Sequence, residues 1–181
     1  MATKLDEQAI PGGSSFSAGG ITTIKMTTGG ALAAWEITSP GPPFRGSYGL
    51  NVGLFTSPPA GFQPRILGGR NPPLGLDTLS LKGTSGIPAI LDSALPIGNP
   101  EWSMTPSSDG FRRGGMWPFC MKRHDTYVNG LFLDWSARRI DLKELWVLRW
   151  YPGFNTSGHW TEAGGVKAER WPKWMRGLKD Y

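Results

Sequence analysis

The chain has 181 residues, a net charge of +5 and a hydrophobic fraction of 39%, which suits one domain built around one core. The basic excess alternates with acids (Arg138, Arg139, Asp141, Lys143, Glu144), which speaks against the basic stripe of a nucleic-acid-binding face. The single cysteine, Cys120, excludes an intrachain disulfide and a cysteine-based metal site. No apolar run is long enough to span a bilayer. The N-terminal stretch lacks the apolar centre of a secretory signal, and the chain as given is expected to be soluble.

Of the 16 prolines, 12 precede residue 101. Proline breaks helices and is kept out of central strands, so this part should consist of turns, loops and short strands. Residues 1–30, rich in Gly, Ser and Thr, read as a flexible segment, and residues 31–181 as the single domain. Residues 31–37 read as a strand or a short helical turn, and residues 47–55 as a strand whose small residues allow close approach. Residues 56–75 form a Pro/Gly loop, and residues 76–82 a short strand. The apolar run from Ile87 to Leu91 is a buried strand ending in Asp92. A long Pro, Gly and Ser loop then runs to Pro118, a length that in a small domain marks function or poor order.

The signal sharpens in the last third. Tyr127 to Leu133 and Ala137 to Ile140 read as two strands of a β-hairpin, closed by Asp134-Trp135-Ser136, although Asp-Trp is a poorer tight turn than Asp-Gly. Asp141 then caps a helix over residues 142–150, with Glu144 three positions on as in a capping box. Tyr151-Pro152-Gly153 ends it. A second short helix is expected at residues 171–178. The pattern is α+β with a small antiparallel sheet.

Several constellations admit chemistry. His124, Asp125, Asp134 and Ser136 carry the residue types of a hydrolytic set, but a nucleophile in a hairpin turn is poorly preorganised, and no GxSxG elbow exists. With two histidines in the chain, a His-rich metal centre is not expected. Asp92, Asp109, Asp125 and Asp134 offer oxygens for calcium, without the loop spacing of a calcium site. No phosphate-binding glycine fingerprint is present, and no cofactor is expected. Eight of the nine tryptophans lie at or after Trp102. Trp102, Trp117, Trp160, Trp171 and Trp174 admit sugar stacking; the favoured reading is that they fasten a small core.

The run RHDTYVNGLFLDWSARRIDLKELWVLRW, residues 123–150, resembles the C-terminal region of bacterial prepilin-like proteins with the H-x9-DG motif. These are type II secretion pseudopilins or type IV pilin-like proteins, abundant in planctomycetes. The matching positions are His124, Val128-Asn129, Leu131-Phe132, Asp134, residues 142–146, and the closing WPKWMRGLKDY of residues 171–181. Upstream, residues 47–51 (SYGLN) are similar to a family SYG-x-N strand, and residues 87–92 to its apolar strand ending in Asp. The match covers residues 45–181 and is specific in the last sixty or so. The motif glycine after Asp134 is replaced by Trp135, and the family's leader and apolar N-terminal helix are missing from this chain.

The resemblance implies a pilin-like globular domain, the surface part of a filament subunit, and no enzyme. Its partners would be other pilin-like subunits, and it would meet the membrane only through the absent helix. The full-length form would be exported to the periplasm or cell surface. A cysteine near that helix would be a partner for Cys120. His124 and Asp134 would be structural, with Asn129, Asp141 and Glu144, and are expected to clasp the hairpin and hold its turn. The rival reading is a secreted carbohydrate-binding module that uses Trp102, Trp117 and Trp160.

Overall fold

A computed structural model describes residues 13–18, 22–54, 83–107, 116, 118–151 and 153–181. The expected strand at residues 76–82 lies outside them. Two sheets form. The first is an antiparallel meander of β1 (Gly13–Ala18), β2 (Thr22–Thr27), β3 (Trp35–Ser39) and β4 (Phe44–Gly46). The second is built from β5 (Tyr48–Asn51), β6 (Pro88–Asp92), β7 (Ile97–Gly98), β8 (Tyr127–Phe132) and β9 (Ala137–Asp141). Its order is β7-β5-β6-β8-β9, antiparallel except for the parallel β5–β7 pair. The sheet is therefore mixed rather than purely antiparallel.

The segment read as flexible contributes β1 and β2. Its Thr-Thr-Ile and Met-Thr-Thr runs are β-branched or long side chains that favour extended backbone, and pairing with β3 supplies the hydrogen bonds. The helices are also shorter than expected. Every described helix is of the 3-10 type, and the longest is Leu142–Trp146. The domain is thus small and α+β or mostly β.

The helix stops at Trp146 because the burial period changes there. Leu142, Leu145 and Trp146 face inward at helical spacing, whereas beyond them Leu148 and Trp150 are buried and Val147 and Arg149 are not. That period of two belongs to extended chain. The Arg149 N–H accordingly leaves the helix and donates to Gly86 O at 3.2 Å.

The main core lies between the inner face of the second sheet and the C-terminal segment. Val128 and Phe132 of β8, Leu91 of β6 and Ile140 of β9 meet Leu142, Leu145, Trp146, Trp150, Trp171 and Met175. Trp171 stands edge-on to Trp146 at 5.3 Å, and Phe119 stacks on Trp150 at 5.0 Å. Each such ring buries roughly 150–250 Å², so few aliphatic residues are needed. Cys120 is part of this core, and burial pushes its thiol well above the ordinary cysteine range. A smaller cluster of Met26, Ala94, Leu95 and Met121 joins the two sheets.

The β8–β9 hairpin turns through Leu133 to Ser136. The Trp135 N–H donates to Phe132 O at 3.0 Å, and the Phe132 N–H to Ser136 O at 2.9 Å. Trp135 takes a left-handed φ of 66°, the conformation in which glycine is unstrained. The departure from the family's Asp-Gly therefore falls where a side chain is least favoured. A left-handed residue with a Cβ costs about 1–2 kcal/mol, partly offset by the entropy glycine loses on folding. Trp135→Gly is expected to raise the unfolding free energy by about 0.5–1 kcal/mol, read from urea denaturation; a loss of stability would contradict the strain argument.

The chain end folds back on the hairpin. The Tyr181 hydroxyl donates to Asp141 Oδ2 at 2.5 Å. Burial, and next this bond, raise the Tyr181 phenol above its ordinary range. Above a pH of about 10 the unfolded chain loses this proton first, so stability falls as pH rises through that point. Tyr181→Phe is expected to flatten the alkaline slope of the unfolding free energy, measured by denaturation between neutral pH and the alkaline limit.

Candidate functional site

Asp92, His124 and Asn129 gather at one end of the second sheet. β6 and β8 run antiparallel with Leu91 opposite Gly130, which sets Asp92 beside Asn129. Asp92 is 1% exposed. Its Oδ2 accepts the Asn129 backbone N–H at 2.7 Å, the Asn129 Nδ2 at 3.1 Å and the His124 Nε2 at 3.1 Å. A tight turn delivers the histidine: Asp125 adopts a φ of 66°, the Thr126 N–H donates to His124 O, and His124 bridges Tyr127. The imidazole then stacks on Tyr127 at 5.3 Å, and the Arg139 guanidinium covers that ring at 4.7 Å. The result is a ladder of Arg139, Tyr127, His124 and Asp92 across the sheet.

His124 and Asp134 do not form the expected clasp. They lie at opposite ends of β8, and six extended residues span on the order of 20 Å. Asp134 serves its own turn instead. Its Oδ1 accepts the Ser136 N–H at 3.0 Å and the Ser136 hydroxyl at 2.6 Å, an Asx turn. These bonds, the hydroxyl's first, hold its carboxyl below the usual range. Ser136 is therefore remote from His124, and the hydrolytic set of His124, Asp134 and Ser136 is not assembled.

Asp141 and Glu144 form the expected capping box, with the Asp141 N–H reaching Glu144 Oε2 at 3.4 Å. Glu144 also pairs with Arg138 at 2.7 Å.

Sequence reasoning missed three polar hubs. Arg123 joins the sheets: its terminal nitrogen faces Gly30 O at 2.8 Å, Ser93 O at 3.2 Å and Ala33 O at 3.3 Å. Burial lowers its pKa, against the opposing pull of Asp92. Asn51, fully buried, donates Nδ2 to Pro88 O at 2.9 Å and Trp150 O at 2.7 Å and accepts the Gly53 N–H at 3.0 Å. Lys143 is enclosed beneath the C-terminal tail. Asn51 and Lys143 carry a sequence signal, a polar residue among apolar neighbours, whereas Arg123, between Lys122 and His124, carries none. Gly49, in the SYG stretch, has its own reason: a Cβ there would strike Leu95 O and the Ser93 side chain.

Of the three tryptophans that the carbohydrate-binding alternative would use, Trp160 is 8% exposed and packed against Trp146 and Trp171, so it offers no platform. Trp102 is 38% exposed, with His159 edge-on at 5.8 Å. Trp117 lies outside the described residues, as does Asp109. Among the described residues, no three His, Cys, Asp or Glu side chains gather to hold a metal, and Asp92, Asp125 and Asp134 are engaged separately: Asp125 pairs with Lys122 at 3.5 Å. Among the same residues, no helix is long and apolar enough to cross a membrane.

No family model, no curated protein and no solved structure matches the chain.

Proposed function

We propose that this chain is the globular domain of a filament subunit, of the type II secretion pseudopilus or type IV pilus-like kind, carried outward on a structure assembled from similar subunits. The observation that carries the reading is the use made of the motif's polar side chains. His124 and Asn129 converge on Asp92, Asp134 bonds Ser136, and Asp141 and Glu144 cap a helix. Each is consumed in holding the chain's own turns and strands, as suits a scaffold that displays surfaces rather than one that turns over a substrate.

The experiment is to express the full reading frame in its native host with an epitope in the exposed 155–157 turn. The tagged protein is expected in the fraction sheared from the cell surface or in the envelope pseudopilus fraction, and to leave it when the assembly ATPase is deleted. An unchanged distribution after that deletion overturns the reading. The carbohydrate-binding alternative retains Trp102 among its described platforms; glycan retention lost in Trp102→Ala would favour it.

A further inference from the structure

One asparagine of the chain, Asn155, has a hydroxyl residue two positions on, in Asn155-Thr156-Ser157. This is the acceptor pattern for a sugar on an amide nitrogen. Asn51, Asn71, Asn99 and Asn129 are followed two positions on by Gly53, Pro73, Glu101 and Leu131 instead. The tripeptide recurs by chance, so the weight rests on where the fold puts it. Asn155, Thr156 and Ser157 are consecutive exposed residues between a buried Phe154 and a buried Gly158. The Phe154 N–H donates to Tyr151 O at 3.1 Å, and the Thr161 N–H to Gly158 O at 2.9 Å. The tripeptide is thus a short outward turn anchored on both sides. Asn51 and Asn99, by contrast, are buried.

The turn also leaves the reacting groups open. Asn155 Oδ1 accepts the Ser157 N–H at 3.0 Å, an Asx turn that fixes the amide over its own loop. The Asn155 Nδ2 and the Thr156 and Ser157 hydroxyls have no partner among the described residues. The nitrogen that would carry a sugar and the hydroxyl that a transferase would read therefore stand in one exposed loop. Trp102 lies beside it. A Cβ at Gly158 would meet Trp102 Cε3 at 2.9 Å and Asn155 O at 3.6 Å, so glycine there lets the indole rest against the turn. That indole is exposed, and an aromatic face is an apolar platform for the C–H side of a sugar ring.

We infer that Asn155 is a glycosylation site whose first sugar lies on Trp102. In the transfer, Asn155 Nδ2 attacks C1 of a sugar activated as a glycosyl diphosphate. The C1–N bond forms as the C1–O bond breaks. The diphosphate leaves with the bonding electrons, one amide proton passes to a base of the transferase, and nothing is oxidised or reduced. The site requires only that the turn meets such a transferase, so it stands whether or not the chain builds filaments.

The test is peptide mass spectrometry on the untagged full reading frame purified from its native host. Trypsin, cutting after Arg149 and Lys167, releases Asn155 in the peptide 150–167. That peptide is expected to carry a glycan mass, placed on Asn155 by fragmentation that keeps the glycan attached. Asn155→Gln and Ser157→Ala should each abolish the added mass, and Ser157→Thr should keep it, a rescue that misfolding cannot produce. Trp102→Ala should leave the site occupied and cancel the difference in Tm between the modified chain and Asn155→Gln, read as a double-mutant cycle. The inference is overturned if the peptide 150–167 is always unmodified, if the glycan sits on the Thr156 or Ser157 oxygen, or if Ser157→Ala retains it. An undiminished Tm difference in the Trp102→Ala background overturns the seat on the indole.

Discussion

Asp92→Ala is expected to lower the unfolding free energy by about 3 kcal/mol, a large part of the roughly 5–15 kcal/mol that holds a domain together. The carboxylate lies at the junction of β6, β8 and the turn before β8, almost closed to solvent. Removing it leaves the Asn129 N–H and side-chain amide without their acceptor, and each buried donor left unmade costs about 1–3 kcal/mol. His124 contributes less. It is about one-third exposed and can turn to water, so His124→Ala should cost about 1 kcal/mol or less. Asp92→Asn keeps an acceptor oxygen and belongs between the two. The order Asp92→Ala, Asp92→Asn, His124→Ala, from most to least damaging, is to be read from urea denaturation midpoints at constant slope. Equal losses in the first and last would make the histidine, not the aspartate, the centre of the cluster. A neutral Asp92→Ala would remove the cluster from the account of stability altogether.

That ranking also marks how far the sequence could be read. The hairpin was legible because Tyr127 to Leu133 and Ala137 to Ile140 carry strand formers on both sides of an Asp-containing turn, and tertiary packing agrees with that local preference. The capping box was legible for the same reason, being a contact three residues long. The pairing of His124 with Asp92 was not. The two are 32 positions apart, and only the register of β6 against β8 brings them together. The nearer Asp134 is carried away by the very strand that made the hairpin readable. The helix expected over residues 142–150 failed on a period: its apolar residues fit a helix up to Trp146 and a strand after it. The four-stranded sheet was hidden because a Gly, Ser and Thr segment lacks an apolar pattern of its own, and its second strand gains order from pairing with β3.

Lys143 gives the second large effect, and it separates a buried ion pair from the packing around it. In sequence it looks like the solvated face of a capped helix. In the fold its side chain is fully enclosed: Nζ donates to Leu178 O at 3.0 Å and to Asp180 Oδ1 at 2.8 Å, and lies 4.8 Å from the centre of the Trp171 ring. The pair ties the last residues over the core, and the Tyr181–Asp141 bond continues the same closure. Taking an ammonium out of water costs several kcal/mol, returned only while its partners stay in place. Asp180→Ala removes the carboxylate and leaves the cation enclosed. It is expected to cost about 3 kcal/mol and to loosen the tail, seen as faster amide exchange at Leu178. Lys143→Met fills the same space without a charge and frees Asp180, one-third exposed, to turn to solvent; its cost should be about 1 kcal/mol or less. The double variant Lys143→Met, Asp180→Ala should then be more stable than Asp180→Ala alone. That sign inversion cannot arise if the tail is held by Trp171 and Met175 packing alone, for then removing the lysine after the aspartate would only subtract.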